Sequence, residues 1–262
     1  MMTLTTSRTA PQKFASLGRR WMKAIRRSLL SIRWKLRQLE GWKRVPPRGE
    51  LFSDSLSKIH VAVINLTHRK DRYESFSRQM ESLEITDWTR IEAVNGKAQF
   101  PETNGFFAGS AGCTLSHIAA LEQVDWSECE AAMICEDDVE FLVPREDVEA
   151  AVAAFLKSPF IDVLSLSGRA RGGSVAINDG LRLVVGLVGR GCYIVKPHMV
   201  RPLKQAFTRG LPKLLAGNRH GKGDQMWRAL QSRKHFFASP QRAMARQGSG
   251  FSDIEGRELG PR

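Results

Sequence analysis

Ala131-Ala132-Met133-Ile134-Cys135-Glu136-Asp137-Asp138 sets five uncharged, mostly apolar residues directly against three acids. A run this short and apolar has the composition of a strand buried on both faces. The acids then sit at the strand's carboxyl end, and in an open α/β sheet ligands bind in the crevice beyond such ends. In an extended chain Glu136 and Asp138 point to one side and Asp137 to the other. Two carboxylates on one side can hold a hard divalent cation, Mn²⁺ or Mg²⁺, and leave positions open for phosphate oxygens. Such a metal would neutralise a departing diphosphate. A solvated turn at a strand end accommodates the same triplet, since acids are common there.

Working outward, Ile59 to Leu66 (IHVAVINL) is a second β-branched, apolar run and reads as a buried strand. A helix is expected from about Asp71, with Tyr73, Phe76, Met80 and Leu83 on one face. Trp88 to Val94 reads as a strand closed by the turn dipeptide Asn95-Gly96. Ser110 is placed to cap a helix running to about Val124. Further helices are expected near 146–157, 198–207 and 224–232, and strands at 161–166 and, around Gly189-Arg190-Gly191, within 183–195. Strands alternating with helices predict an α/β fold with a mostly parallel central sheet covered on both faces.

The formal charge of +13 is unevenly divided. Residues 1–49 carry 13 Lys/Arg against the single acid Glu40, a net of +12, whereas residues 50–262 carry 27 against 26, a net of +1. The body is therefore nearly neutral, which argues against a nucleic-acid binder. The four cysteines show no close pair of the zinc or redox type and read as small buried hydrophobes. No stretch approaches the ~20 apolar residues needed to span a bilayer, and no signal-peptide pattern is visible. The expectation is a cytoplasmic protein, peripheral on the inner face of the membrane.

The basic charge coincides with a helical pattern. Phe14, Leu17, Trp21, Ile25, Leu29, Ile32, Leu36 and Leu39 recur at steps of three and four, with arginines and lysines between them. A basic amphipathic helix over 13–44 can lie on an anionic membrane surface. It can equally pack on the domain, serve as a targeting peptide or stay disordered. Pro46-Pro47-Arg48-Gly49 reads as a linker. The chain thus divides into a basic amphipathic arm and Pro-rich linker (1–49) and a single α/β domain (50–262) whose packed body starts near Lys58.

Two further constellations stand beside the acids. Asn65, Arg69 and Arg72 follow the first strand, and planar guanidiniums suit phosphate oxygens; a surface-charged helix start gives the same composition. In Ser110-Ala111-Gly112-Cys113-Thr114-Leu115-Ser116-His117, small residues opening a helix would leave backbone N–H groups free for an anion. His117 alone reads more simply as a satisfied structural histidine.

Taken together, these segments resemble glycosyltransferase family 25, the lipopolysaccharide-type and collagen-type sugar transferases. The matching pieces run in order: Val63-Ile64-Asn65-Leu66 with Arg69 and Arg72, Ile91 to Gly96, Gly112 to His117, Ile134 to Val139, Asp162 to Leu166, Gly191 to Val195, Gly223-Asp224, and Ser252-Asp253-Ile254. The resemblance implies a GT-A-like domain that uses a nucleotide-sugar donor, a UDP-hexose in the common case, with a divalent metal. It places Glu136 and Asp138 at the metal and Asn65, Arg69, Arg72, Ser116 and His117 around the donor. Asp224 is then the general base for the acceptor hydroxyl, with Asp137 its rival. The implied activity is transfer of a hexose such as galactose to a surface glycolipid or lipopolysaccharide core. Asn95, Thr67-His68 and the Lys/Arg/Gly-rich stretch 208–222, read as a loop over the site, depart from the family pattern. The competing classes are a membrane-associated, non-catalytic scaffold and a metal-dependent phosphohydrolase or nucleotidyltransferase.

Overall fold

The computed structural model describes residues 21–22, 24–34, 54–177, 180–231 and 235–261. Phe14, Leu17, Leu36, Leu39 and the linker at 46–49 lie outside them. Residues 24–34 form helix α1. The body then runs β1 (Ile59–Asn65), α2 (Lys70–Ser82), β2 (Thr89–Glu92), α3 (Gly96–Gln99), α4 (Gly105–Gln123), β3 (Ala131–Glu136), β4 (Val139–Phe141) and α5 (Arg145–Lys157). It continues with β5 (Val163–Ser165), β6 (Arg169–Ala176), β7 (Leu181–Val188), β8 (Cys192–Val195), α6 (Val200–Leu215), α7 (Gly223–Met226), α8 (Arg228–Gln231), β9 (Phe237–Pro240), β10 (Ala245–Gln247), β11 (Gly250–Ser252) and β12 (Arg257–Leu259).

Eight strands form one sheet in the order β2-β1-β3-β8-β5-β9-β7-β6. Followed from neighbour to neighbour, β7 and β8 run against the other six, so the mostly parallel sheet read from the sequence is present. Both faces are buried, as the unbroken apolar runs require. Val61, Val63, Met133 and Cys135 pack with Phe76 and Met80 of α2 and Val152 and Phe155 of α5. The alternate residues Ala62, Ile64, Ala132 and Ile134 pack with Leu121 of α4 and Leu203 and Phe207 of α6. From β1 the chain crosses to β2 on one side and returns to β3 on the other, both parallel to β1. That reversal opens a crevice at the carboxyl ends of β1 and β3.

Several expectations are corrected. Helix α4 starts at Gly105, capped by Asn104, whose side chain accepts from the Phe106 N–H. Ser110 is therefore a buried residue inside the helix and not its cap, and the N–H groups of 110–117 are not an open anion-binding end. The small residues there serve packing: a Cβ on Gly112 would come within 2.5 Å of the Val94 carbonyl oxygen, and one on Gly96 within 2.0 Å of the Ala108 carbonyl oxygen. The stretch 208–222 is no loop over the site. Helix α6 continues to Leu215, and a 3-10 turn follows at Arg219–Gly221, packed on α6 where Gly210 and Gly221 meet backbone to backbone. The strands β4, β6 and β9 to β12 were not legible. β6 is the instructive case, because Arg169 to Ala176 (RARGGSVA) is polar and glycine-rich and is held by its partner β7.

Helix α1 lies against the body through Leu30, which is buried, and Trp34, whose ring meets Phe160 and Phe236 edge-on at 6.0 and 5.5 Å. Arg33 stacks over Phe236. The predicted apolar stripe faces the other way: Trp21 is 68% exposed and Leu29 55%, with Ile25 and Ile32 similar. No helix among the described residues is long and apolar enough to cross a membrane.

Candidate active site

The crevice at the switch point is a pocket of about 480 Å³ lined by Arg72 of α2, the turn after β2, Cys113 and Ser116 of α4, the three acids, and Gln247 and Asp253 from the C-terminal segment. Strand β3 ends at Glu136, and Asp137 and Asp138 form the turn into β4. The extended alternation expected for the triplet therefore stops after its first member, and the three acids fan out to different partners.

Glu136 turns toward α4. Its Oε1 lies 3.0 Å from His117 Nε2, and His117 Nδ1 lies 3.2 Å from the Tyr193 hydroxyl. Burial, then the Arg190 charge, take His117 down to about 4, so its ring is neutral at neutral pH. Burial pushes Glu136 up, but the His117 bond, with Arg190 and Arg72 behind it, holds the carboxyl at about 2. A neutral ring beside a carboxylate donates from Nε2 and accepts the Tyr193 O–H at Nδ1. His117 has no exposed surface and both nitrogens are engaged, so it orients Glu136 and offers nothing directly to the pocket.

Asp137 turns to the opposite wall, accepting from Asn65 Nδ2 at 2.7 Å and Arg72 Nη1 at 3.0 Å. Asn65 is itself buried and saturated, donating also to the Arg69 carbonyl and accepting from Arg90. Asp138 accepts from Gln247 Nε2 at 2.8 Å and Arg72 Nη1 at 3.3 Å through Oδ2, while its Oδ1 is buried without a partner among the described residues. Burial, then the neighbouring Glu136 charge, push Asp138 up to about 7, and burial likewise raises Asp137.

Arg69 and Arg72 both hold the Phe251 carbonyl, and Arg69 also pairs with Asp71 and Asp253. They thus pin the C-terminal segment over the acids. Ser116 Oγ accepts from the Val94 N–H and donates to the Gly112 carbonyl, fixing the turn after β2 on α4. Asp224 stands outside the residues lining the pocket, with Oδ2 3.4 Å from the Gly189 N–H. The adjoining Gly223 abuts the Arg190 guanidinium. Arg190 is buried and donates from Nη2 toward Cys113 Sγ, and its Nη1 has no partner among the described residues. Sequence reasoning missed Arg190, Tyr193, Arg90 and Gln247 as site residues; an arginine flanked by Gly189 and Gly191 was the one visible signal.

The donor set fits a hard divalent cation. Asp138 Oδ1 is a buried oxygen lacking any partner among the described residues, and ionised Glu136 lines the same pocket. Cys113, His117 and Glu136 also place ligand-type atoms within 4.8 Å of one another. Burial and the Glu136 charge push Cys113 up to about 12, and sulfur is a soft ligand where a hard cation takes oxygen.

No curated protein matches the chain. Among solved structures, a glycosyltransferase involved in the glycosylation of the major capsid of PBCV-1 is similar at 9% identity, over 75% of this chain and 96% of that one, with a TM-score of 0.45. Mannose-1-phosphate geranyltransferase from Thermus thermophilus is similar at 12% identity, over 70% and 73%, with a TM-score of 0.38. The model of glycosyltransferase family 25 (LPS biosynthesis protein) matches residues 58–159. That span runs from β1 to the end of α5 and contains Asn65, Arg69, Arg72, His117 and all three acids. Over residues 58–159, and so over the acidic centre of this site, the chain is similar to glycosyltransferase family 25.

Proposed function

We propose that the chain transfers a hexose from a nucleotide-sugar donor, a UDP-hexose, to a hydroxyl of a surface glycolipid or lipopolysaccharide core. The observation that carries this reading is the crevice at β1 and β3, where Arg72 bonds two of three clustered carboxylates and one carboxylate oxygen lies buried without a partner among the described residues. Glu136 and Asp138 would hold Mn²⁺ or Mg²⁺, which when bound supplies charge neutralisation at the diphosphate. Lys97 lines the same pocket and has no carboxylate partner among the described residues, so it suits a donor phosphate. Asn65, Ser116 and His117 act one layer back, keeping Asp137, the β2 turn and Glu136 in place. Arg69 and Arg72 hold the C-terminal segment that closes the pocket.

In the transfer, the acceptor oxygen bonds to the anomeric carbon as the bond from that carbon to the diphosphate breaks. The hydroxyl proton passes to a carboxylate. Asp224 is the better base on hydrogen bonding, since its interactions are long, whereas both Asp137 oxygens are taken by Asn65 and Arg72. The outward stripe of α1, between arginines, supports a peripheral place on an anionic membrane.

The test is a screen of the purified full chain against nucleotide sugars, with and without Mn²⁺, reading thermal stabilisation and nucleoside-diphosphate release. Metal-dependent stabilisation by one donor with slow release of its diphosphate is expected. Release of inorganic phosphate or pyrophosphate instead would move the chain to phosphohydrolase or nucleotidyltransferase chemistry. No response to any donor would leave a scaffold.

A further inference from the structure

A second pocket, of about 440 Å³, lies between α1 and the β6–β7 hairpin, and five arginines line it: Arg27, Arg169, Arg171, Arg182 and Arg242. Among the described residues no carboxylate lines this pocket or pairs with any of the five. Only Arg182 has a side-chain partner there, the Ser239 hydroxyl at 3.0 Å. Other arginines of the body, Arg69, Arg72, Arg145, Arg246 and Arg257 among them, do pair with carboxylates. The body carries a net of only +1, yet four of its arginines and Arg27 of α1 gather around one hollow with no carboxylate partner among the described residues. Like charges around one hollow repel, and no carboxylate among the described residues lies against them. Planar donors converging on a hollow match the oxygens of a phosphate group, which several guanidiniums can hold bidentately.

The pocket is also tied to the acidic site. Its rim residues Arg242 and Ala243 lead directly into β10, whose Ala245 N–H bonds the carbonyl of Leu166, another lining residue. Two residues on, Gln247 donates to Asp138. One short strand therefore connects the arginine pocket to the triplet. A ligand anchored here by an anionic group could extend along β10 toward the acids, which is the placement an acceptor needs and a donor does not.

We propose that this arginine pocket binds a phosphate ester carried by the acceptor saccharide, with Arg169, Arg171 and Arg242 as its principal contacts. The anion site stands on the geometry above, and its assignment to the acceptor rests on the transferase reading.

The probe is inorganic pyrophosphate, titrated calorimetrically into the full chain without metal or donor. In R169Q/R171Q, and separately in R242Q, the Kd should rise at least about tenfold, since charge-assisted bonds are lost, with the melting temperature kept because these side chains are exposed. In transfer assays the same variants should raise KM for a phosphorylated acceptor sugar, leaving KM for its dephosphorylated form and for the donor unchanged. Equal pyrophosphate affinity in wild type and variants overturns the inference, whatever the transfer assay shows. So does loss of binding to phosphatidylglycerol vesicles with KM for the phosphorylated acceptor unchanged, because the arginines would then serve a lipid headgroup. Pyrophosphate binding at these arginines with no transfer from any donor sinks the transferase reading and leaves the anion site standing.

Discussion

Arg72 reaches Asp138 with one guanidinium nitrogen, 3.3 Å from Oδ2, while the other carboxylate oxygen is buried with no partner among the described residues. One oxygen of this carboxyl is fixed by protein while the other makes no hydrogen bond, an arrangement that would suit the proposed cation. The same nitrogen holds Asp137 at 3.0 Å, so a single arginine ties two of the three acids to α2.

Asp138→Asn keeps the shape and the Oδ2-side contacts but removes the charge a cation needs. Turnover should fall by roughly a hundredfold or more, the loss expected when several kcal/mol of charge stabilisation goes. Nucleoside-diphosphate release measures this, alongside a melting curve that should stay close to wild type. Retained turnover would exclude Asp138 as an essential ligand.

Gly112→Ala should destabilise the site from behind. The added methyl would lie 2.5 Å from both the Gly96 nitrogen and the Val94 carbonyl oxygen, backbone atoms that cannot swing away. Overpacking of this kind costs about 1–3 kcal/mol. Chemical denaturation should show a lowered midpoint with an unchanged slope; an unaltered midpoint would show that α4 and the β2 turn are loosely joined.

Asp162 carries a pH prediction. Burial would raise this carboxyl, but hydrogen bonds from His198, His235 and the Phe236 N–H overcome it and hold it at about 2. Because the folded value lies below the ordinary value near 4, the stabilisation is full above about pH 4 and is lost as pH falls toward 2. At pH 7 Asp162→Asn should cost about 2 kcal/mol. The gap between the two proteins in urea melts should close as the pH is lowered from about 4 to about 2. A gap that stays constant through that range would rule out the ionised carboxylate as its source.

The arm can be tested without removing it. Leu30 and Trp34 dock α1 on the body, so deleting residues 1–49 would strip Phe160 and Phe236 of their cover as well. Leu29→Glu with Ile32→Glu alters only the outward stripe. The double variant should keep the wild-type melting temperature within about 2 °C, as exposed substitutions do, and should no longer co-sediment with anionic vesicles. Unchanged sedimentation would show that the stripe is not the anchor.

Much of the architecture was legible because its signals are local. β1 and β3 are short β-branched or apolar runs, α2 and α5 repeat at helical spacing, and the acids follow β3 directly in the chain. The errors fall where a remote partner overrode local composition. Arg169 to Ala176 is too polar and glycine-rich to suggest a strand, yet β7 pairs with it. Ser110 has the residue type of a cap, yet Asn104 lies further upstream and captures the helix start.

By itself the sequence determined that a buried strand ends in three carboxylates inside an α/β fold, and that the basic charge belongs to an arm. Those facts follow from which residues are neighbours along the chain and from the two periods of helix and strand. Tertiary structure alone decided that the triplet fans out to His117, Asn65 and Gln247, that Arg190 abuts Cys113, and that Leu30 and Trp34 of the arm face inward. It also gathered five arginines from α1, the β6–β7 hairpin and the segment after β9 around one hollow. The reason is physical: a side chain's partner, burial and charge environment are set by groups tens to hundreds of residues away, and periodicity names the faces of an element without naming what will cover them.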